Sequence, residues 1–236
     1  MNENSILNSF GNNYLQVILF LYLPLAFTLM LTVFNYKQLL KKYDDYRAFL
    51  LYFTYFFFAF LVIPCLIVFL FAKVPFAFFQ EIGFSLGKGK KGLIIIAVAV
   101  PISILAAFIG SKDPLMKRQY PFSKTACTSL RKFIIFETAY LILYYLPWEF
   151  IFRGLLFFTL VPTTGLIIAL SLQTIISILY HIGHPDSEIF AALGAGFIFG
   201  IIAYITGSFI YTVFIHAFIG ISNDTFLYYR YYKRTG

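Results

Sequence analysis

Of 236 residues, 61% are hydrophobic and only 12% charged, and the mean hydropathy is +0.84, whereas soluble domains run at roughly 45–50% apolar and 25% charged. These values exclude a water-soluble globular protein, and 31 Phe and 18 Tyr suit lipid-facing bulk and interfacial anchors. The net charge of +8 does not point to nucleic acid, because the basic residues sit between apolar runs, as cytoplasmic-loop charges and lipid-headgroup contacts do.

The N-terminal MNENSILNSF has neither a basic n-region nor a small-residue cleavage site, so the first apolar stretch is expected to be kept as a helix. A span needs about 20 apolar residues to cross a hydrocarbon core of about 30 Å, and the chain offers roughly seven such stretches. The first two cover about residues 14–35 and 49–72, separated by a linker carrying Lys37, Lys41, Lys42, Asp44, Asp45 and Arg47. Residues 74–92 mix aromatics with Lys88, Lys90 and Lys91, the pattern of a segment lying in the headgroup layer. A third span follows at about 93–110. In the polar 111–132 linker, Pro114 and Pro121 read as punctuating a loop rather than a helix. The next apolar region, about 133–161, contains Pro147, which is expected to kink or break the helix. Three further spans fall near 164–180, 189–205 and 209–229. Cys65 and Cys127 match no metal or disulfide spacing and are assigned to packing.

Lys and Arg in short loops set the orientation. The N-terminal tail has none, the first linker four, the 111–132 linker six, and the C-terminal tail Arg230, Lys233 and Arg234. Seven spans with the N-terminus outside put all three basic segments in the cytoplasm. Lys88, Lys90 and Lys91 then fall outside, unless the 74–92 segment is re-entrant or interfacial.

Ionisable groups inside spans cost about 2.5 kcal/mol or more and need a partner or a purpose. Four occur here: Glu137, Glu149, Arg153 and His216. Glu149 and Arg153 are four residues apart and share a helix face, where they can pair and serve as packing glue. Glu137 reads as structural or interfacial. His181 closes the fifth span, with His184, Asp186 and Glu188 close behind it. Two imidazoles and a carboxylate on separate helices can bind a divalent metal such as zinc, with His181, His216 and Glu149 as its candidate ligands. The same groups can instead orient one water. The HIGH sequence is not a zinc-protease helix signature, since its His–His spacing is three and its second residue is not Glu.

The segments PWEFIFRG (147–154), LYHIGHP (179–185) and GFIFGIIAYITGSFIYTVFIHAFIG (196–220) together resemble the CPBP family of intramembrane peptidases, which includes CAAX prenyl endopeptidases and bacteriocin-processing or self-immunity proteins. That family is marked by Glu-Glu-x-x-x-Arg, Phe-x-x-x-His and His-x-x-x-Asn motifs on successive helices, and the likeness covers about residues 130–230. Glu149, Arg153, His181 and His216 match. Trp148 stands where the family has its water-activating Glu, Ser177 where it has Phe, and Gly220 where it has Asn. Asn223 is two turns past His216 on nearly the same face, and Glu188 can either replace the missing carboxylate or cap a helix. A third option, preferred because it asks for no new residue, turns Glu149 into the cavity with His181 and His216 as the base, held ionised by Arg153.

The expectation is therefore an all-α polytopic transmembrane helix bundle of about seven or eight spans. Residues 1–130 form N-terminal membrane helices with an interfacial segment, and 131–230 a CPBP-like core. By this resemblance it is a multi-pass protein, expected in the cell membrane, that hydrolyses a peptide bond of a membrane-anchored peptide or protein. The water would be activated by Glu149 or Glu188 and oriented by His181 and His216, with Arg153 in support. The partners are that substrate and the lipid bilayer, with no nucleic acid. The rival reading is a non-catalytic binding, immunity or scaffold protein on the same fold; a transporter is weaker, since no inverted repeat of interrupted spans is visible.

Overall fold

The computed structural model describes residues 13–233, so the expectation for MNENSILNSF lies outside the described residues. Among them there are helices and turns but no strand. In chain order the helices are α1 (Asn13–Leu31), α2 (Tyr36–Leu39), α3 (Asp45–Phe71), α4 (Pro75–Glu81), α5 (Gly89–Gly110), α6 (Pro114–Gln119), α7 (Leu130–Thr164), α8 (Leu166–Leu179), α9 (Asp186–Thr206) and α10 (Ile210–Tyr232). Six are long and apolar enough to cross a membrane, built on α1, α3, α5, α7, α9 and α10. The expected fifth span is the shorter apolar helix α8, of 14 residues. The chain is thus an all-α, multi-pass integral membrane protein.

The central helix is α7. In its apolar window 72% of residues are buried, against 17–44% for the other five, so protein rather than lipid surrounds it. Aromatic pairs bind it to α3: Tyr140 stacks on Phe53 at 4.8 Å, and Tyr144 meets Phe56 at 4.4 Å. Of the expected kink or break at Pro147, the break does not occur: α7 runs on through the proline, with its hydrogen-bonding pattern altered there. Just ahead of the proline the Leu146 N–H bonds the Leu141 carbonyl five residues back, a π turn. That wider turn occurs where the proline ring needs room and has no donor to offer. A second π segment, Phe150–Leu156, carries Arg153.

Helices α8 and α9 approach closely because α9 presents glycine. A Cβ on Gly196 would stand 2.6 Å from Thr174 Cγ2, and one on Gly200 2.4 Å from Leu170 Cδ2. Small residues permit such contact between membrane helices. Gln173 Nε2 then donates to the Gly196 carbonyl at 2.8 Å, a polar link across the seam.

The connections sort to two ends. At one, the Lys124 N–H donates to Asp45 Oδ2 (2.5 Å), Ser187 Oγ to Asp113 Oδ2 (2.8 Å) and Arg230 Nη1 to the Ser111 carbonyl (2.9 Å), which gathers the three basic segments on a single face. Here Pro114 was expected to mark a loop. It instead opens α6 at the first helical position, where its missing N–H is no loss, and Asp113 caps the Leu115 N–H. At the other end the Lys88 N–H donates to the Thr206 carbonyl (2.7 Å) and the Tyr211 hydroxyl to the Leu86 carbonyl (2.6 Å). The 74–92 segment, with Lys88, Lys90 and Lys91, therefore closes the end opposite the basic face instead of folding back toward it.

Candidate active site

Glu149 projects from α7 and is fully buried. Its Oε1 accepts from Arg153 Nη1 at 3.2 Å, one turn further on, and faces His216 Nδ1 of α10 at 2.7 Å. The i,i+4 spacing made the first contact legible; the second joins helices 67 residues apart. Glu149 Oε2 and Arg153 Nε have no hydrogen-bond partner among the described residues. With its Nδ1 facing the carboxylate, His216 keeps Nε2 for other contacts.

His181 lies in the turn after α8. Its Nδ1 is 3.0 Å from the Ser177 carbonyl. A carbonyl only accepts, so Nδ1 carries the proton and Nε2 a free lone pair. Burial pushes the imidazole down to about 4 despite the nearby charge of Glu188, so it is neutral near pH 7. Glu188 Oε1, in the first turn of α9, is 4.0 Å from that Nε2. The same oxygen accepts from the Tyr120 hydroxyl at 2.7 Å and faces His184 Nδ1 at 2.9 Å. Glu188 thus reaches across to neighbouring segments, and its Oε2 has no partner among the described residues. Burial first, and the Glu188 charge second, hold the Tyr120 phenol well above its usual range, so it stays a donor.

These groups surround a cavity of about 150 Å³, lined among others by Arg153, His181, Glu188 and His216. A water needs on the order of 10–15 Å³ of such space, so several fit. Met116, Tyr120 and His184 on its wall belong to the segments of the basic end. Trp148, where the family pattern has Glu, lines the cavity and stands edge-on to both histidines, its ring centroid 5.4 Å from that of His181 and 6.3 Å from that of His216. Asn223 also lines it; its Nδ2 donates to Asp224 Oδ1 at 3.1 Å while its own Oδ1 has no partner among the described residues. Glu137 is 4% exposed, and Asp224 lies close enough for the two carboxyls to repel.

Sequence reasoning did not single out Tyr120, Tyr145 or Asp224. No spacing could have done so, because each works through a partner on a distant segment. The option of a metal held by Glu149, His181 and His216 does not fit: no group of three His, Cys, Asp or Glu comes together as a ligand set among the described residues. The Glu149 oxygen such a set would use already faces Arg153 and His216.

Membrane-length helices closing on a largely apolar cavity, whose wall carries Arg153, His181, His184, Glu188 and His216, define a multi-pass membrane protein with a cluster of titratable side chains in its interior. Residues 131–222, from α7 into α10, match the family model described as type II CAAX prenyl endopeptidase Rce1-like. The match spans under half of the chain's length and covers the stretch from which Glu149, Arg153, His181, Glu188 and His216 come. No curated protein and no solved structure matches the chain.

Proposed function

We propose that the chain is an intramembrane endopeptidase that cleaves a membrane-anchored peptide or protein with a water activated by Glu188 and His181. The observation that carries this reading is the 4.0 Å separation of Glu188 Oε1 from the free His181 Nε2 inside the cavity. One water can hydrogen-bond both atoms, and proximity to a base and an orienting acceptor makes it a nucleophile. Glu188 takes a water proton as the oxygen adds to the scissile carbonyl, and returns it to the leaving amine. Glu149 serves as the partner of Arg153 and His216; unlike Glu188 it does not itself line the cavity. His216 turns its remaining nitrogen to the substrate. By the excess of Lys and Arg in its loops, the end bearing Met116 and Tyr120 is the cytoplasmic one, and substrate enters from there.

The non-catalytic reading draws on Trp148, whose indole cannot take a proton from water yet occupies the wall between the histidines. One experiment separates the two: cleavage of a membrane-anchored reporter peptide by purified protein in proteoliposomes. Glu188→Gln and His181→Ala should each lower the rate at least 100-fold at unchanged melting temperature. Full activity in both variants sinks the proposed base, and no cleavage by wild type leaves the binding reading.

A further inference from the structure

Gly220 lies one turn after His216 on α10 and lines the cavity. A Cβ built there would stand 1.7 Å from the Tyr145 hydroxyl oxygen and 2.8 Å from its Cζ, so the phenol occupies the space where a side chain at 220 would begin. Tyr145 itself comes from α7, one turn before Trp148 and Glu149, and its ring lies 4.8 Å from that of His216, edge to face. The ring is 3% exposed and on the cavity wall. Tyr140 packs beside it, the two ring centroids 4.4 Å apart. The cavity wall beside His216 therefore carries a phenol hydroxyl delivered by a different helix, and the glycine is what makes room for it.

We propose that the Tyr145 hydroxyl is the donor to the substrate's carbonyl oxygen as that oxygen becomes an anion, a role distinct from water activation by Glu188 and His181. This rests on the hydrolytic reading above. A donor held in place before reaction acts where negative charge develops, and the surroundings that exclude bulk water strengthen it. Three features suit Tyr145 to this. The phenol is neutral and keeps its proton, so it donates a hydrogen bond without any net proton transfer. Its ring is packed against those of Tyr140 and His216. It lines the same cavity as Glu188 and stands directly beside His216.

The test compares wild type, Tyr145→Phe, and the exchange Tyr145→Ala/Gly220→Asn in the proteoliposome assay, with melting temperature followed alongside. Tyr145→Phe keeps the ring and its packing, and is expected to lower kcat about 100-fold with KM nearly unchanged, since loss of one such donor costs roughly 10²–10³ in rate. The exchange vacates the phenol site and returns an amide donor from position 220, and it should recover at least tenfold over Tyr145→Ala alone. A purely structural role would move melting temperature or KM and would not be rescued by Asn. Wild-type cleavage with an unchanged kcat in Tyr145→Phe overturns this inference alone; a wild type that cleaves nothing overturns the hydrolytic reading and this inference with it.

Discussion

Replacing Arg153 by Met removes a buried charge while keeping most of the side-chain volume, and leaves Glu149 as a carboxylate without its cation. Both groups are shielded from solvent, with Glu149 at 0% and Arg153 at 2% exposure, and their N–O distance is 3.2 Å. At an effective dielectric constant of about 20 the attraction between unit charges at that distance is about 5 kcal/mol. Breaking a buried pair from one side typically costs 3–5 kcal/mol, because the stranded charge is still desolvated. His216 still faces the same oxygen at 2.7 Å, which places the expected loss near the lower figure, about 3 kcal/mol. By the scaling for domains of 150–250 residues this is a fall of roughly 6–12 °C in melting temperature. The double variant Glu149→Gln/Arg153→Met removes both charges, keeps an acceptor for His216, and should melt close to wild type. Thermal unfolding in detergent reads the difference directly. If the single variant melts within about 2 °C of the double, the pair does not hold α7 in the way its geometry implies.

Glycine packing gives a sharper contrast. A Cβ on Gly92 would lie 2.0–2.4 Å from three atoms of the Tyr211 ring, so Gly92→Ala must displace a rigid phenol and its hydrogen bond to the Leu86 carbonyl. A loss of about 2–4 kcal/mol is expected from overpacking plus the broken bond, whereas Gly194→Ala meets nothing within 4 Å and should leave melting unchanged or slightly raised. Equal melting of the two variants would contradict the packing of α5 on α10. For topology, single cysteines at the exposed Thr128 and Lys233, in a background lacking Cys65 and Cys127, should react with an impermeant thiol reagent from one face, and a cysteine at Lys90 from the other. Labelling of Lys90 from the same face as Thr128 would overturn the two-ended arrangement.

The spans were legible because bilayer thickness demands long apolar runs, and those runs are the sequence's strongest signal. What length alone could not foresee was the behaviour of α7. A proline in an isolated helix predicts a break, yet surrounding helices and π turns let the chain continue through Pro147. Within the site, Glu149–Arg153 could be read from periodicity because both residues lie on one helix. His181 and His216 could be nominated as buried ionisable groups, but their partners could not: Ser177 offers a backbone carbonyl, and Glu188 reaches Tyr120 across 68 residues. Glu188 was legible as a carboxylate near a helix start, and only the fold turns it into a neighbour of His181. The glycine at 220 appeared as a gap in a motif; in three dimensions the gap is filled by Tyr145, a residue with no visible connection to it in the chain.

The short helix α8 has a consequence for the membrane itself. Its 14 residues span about 21 Å at 1.5 Å each, well under a hydrocarbon core of about 30 Å. It is bounded by Gly165 at one end and by the turn carrying Tyr180 and His181 at the other, so it cannot lengthen by adding turns. A helix this short can be accommodated by local thinning of the bilayer, which on this flank would move the water boundary toward the end where α8 stops. His181 sits at that end. A bilayer thinned on this flank would bring the aqueous phase toward the depth of the imidazole, which is what the proposed hydrolysis would require.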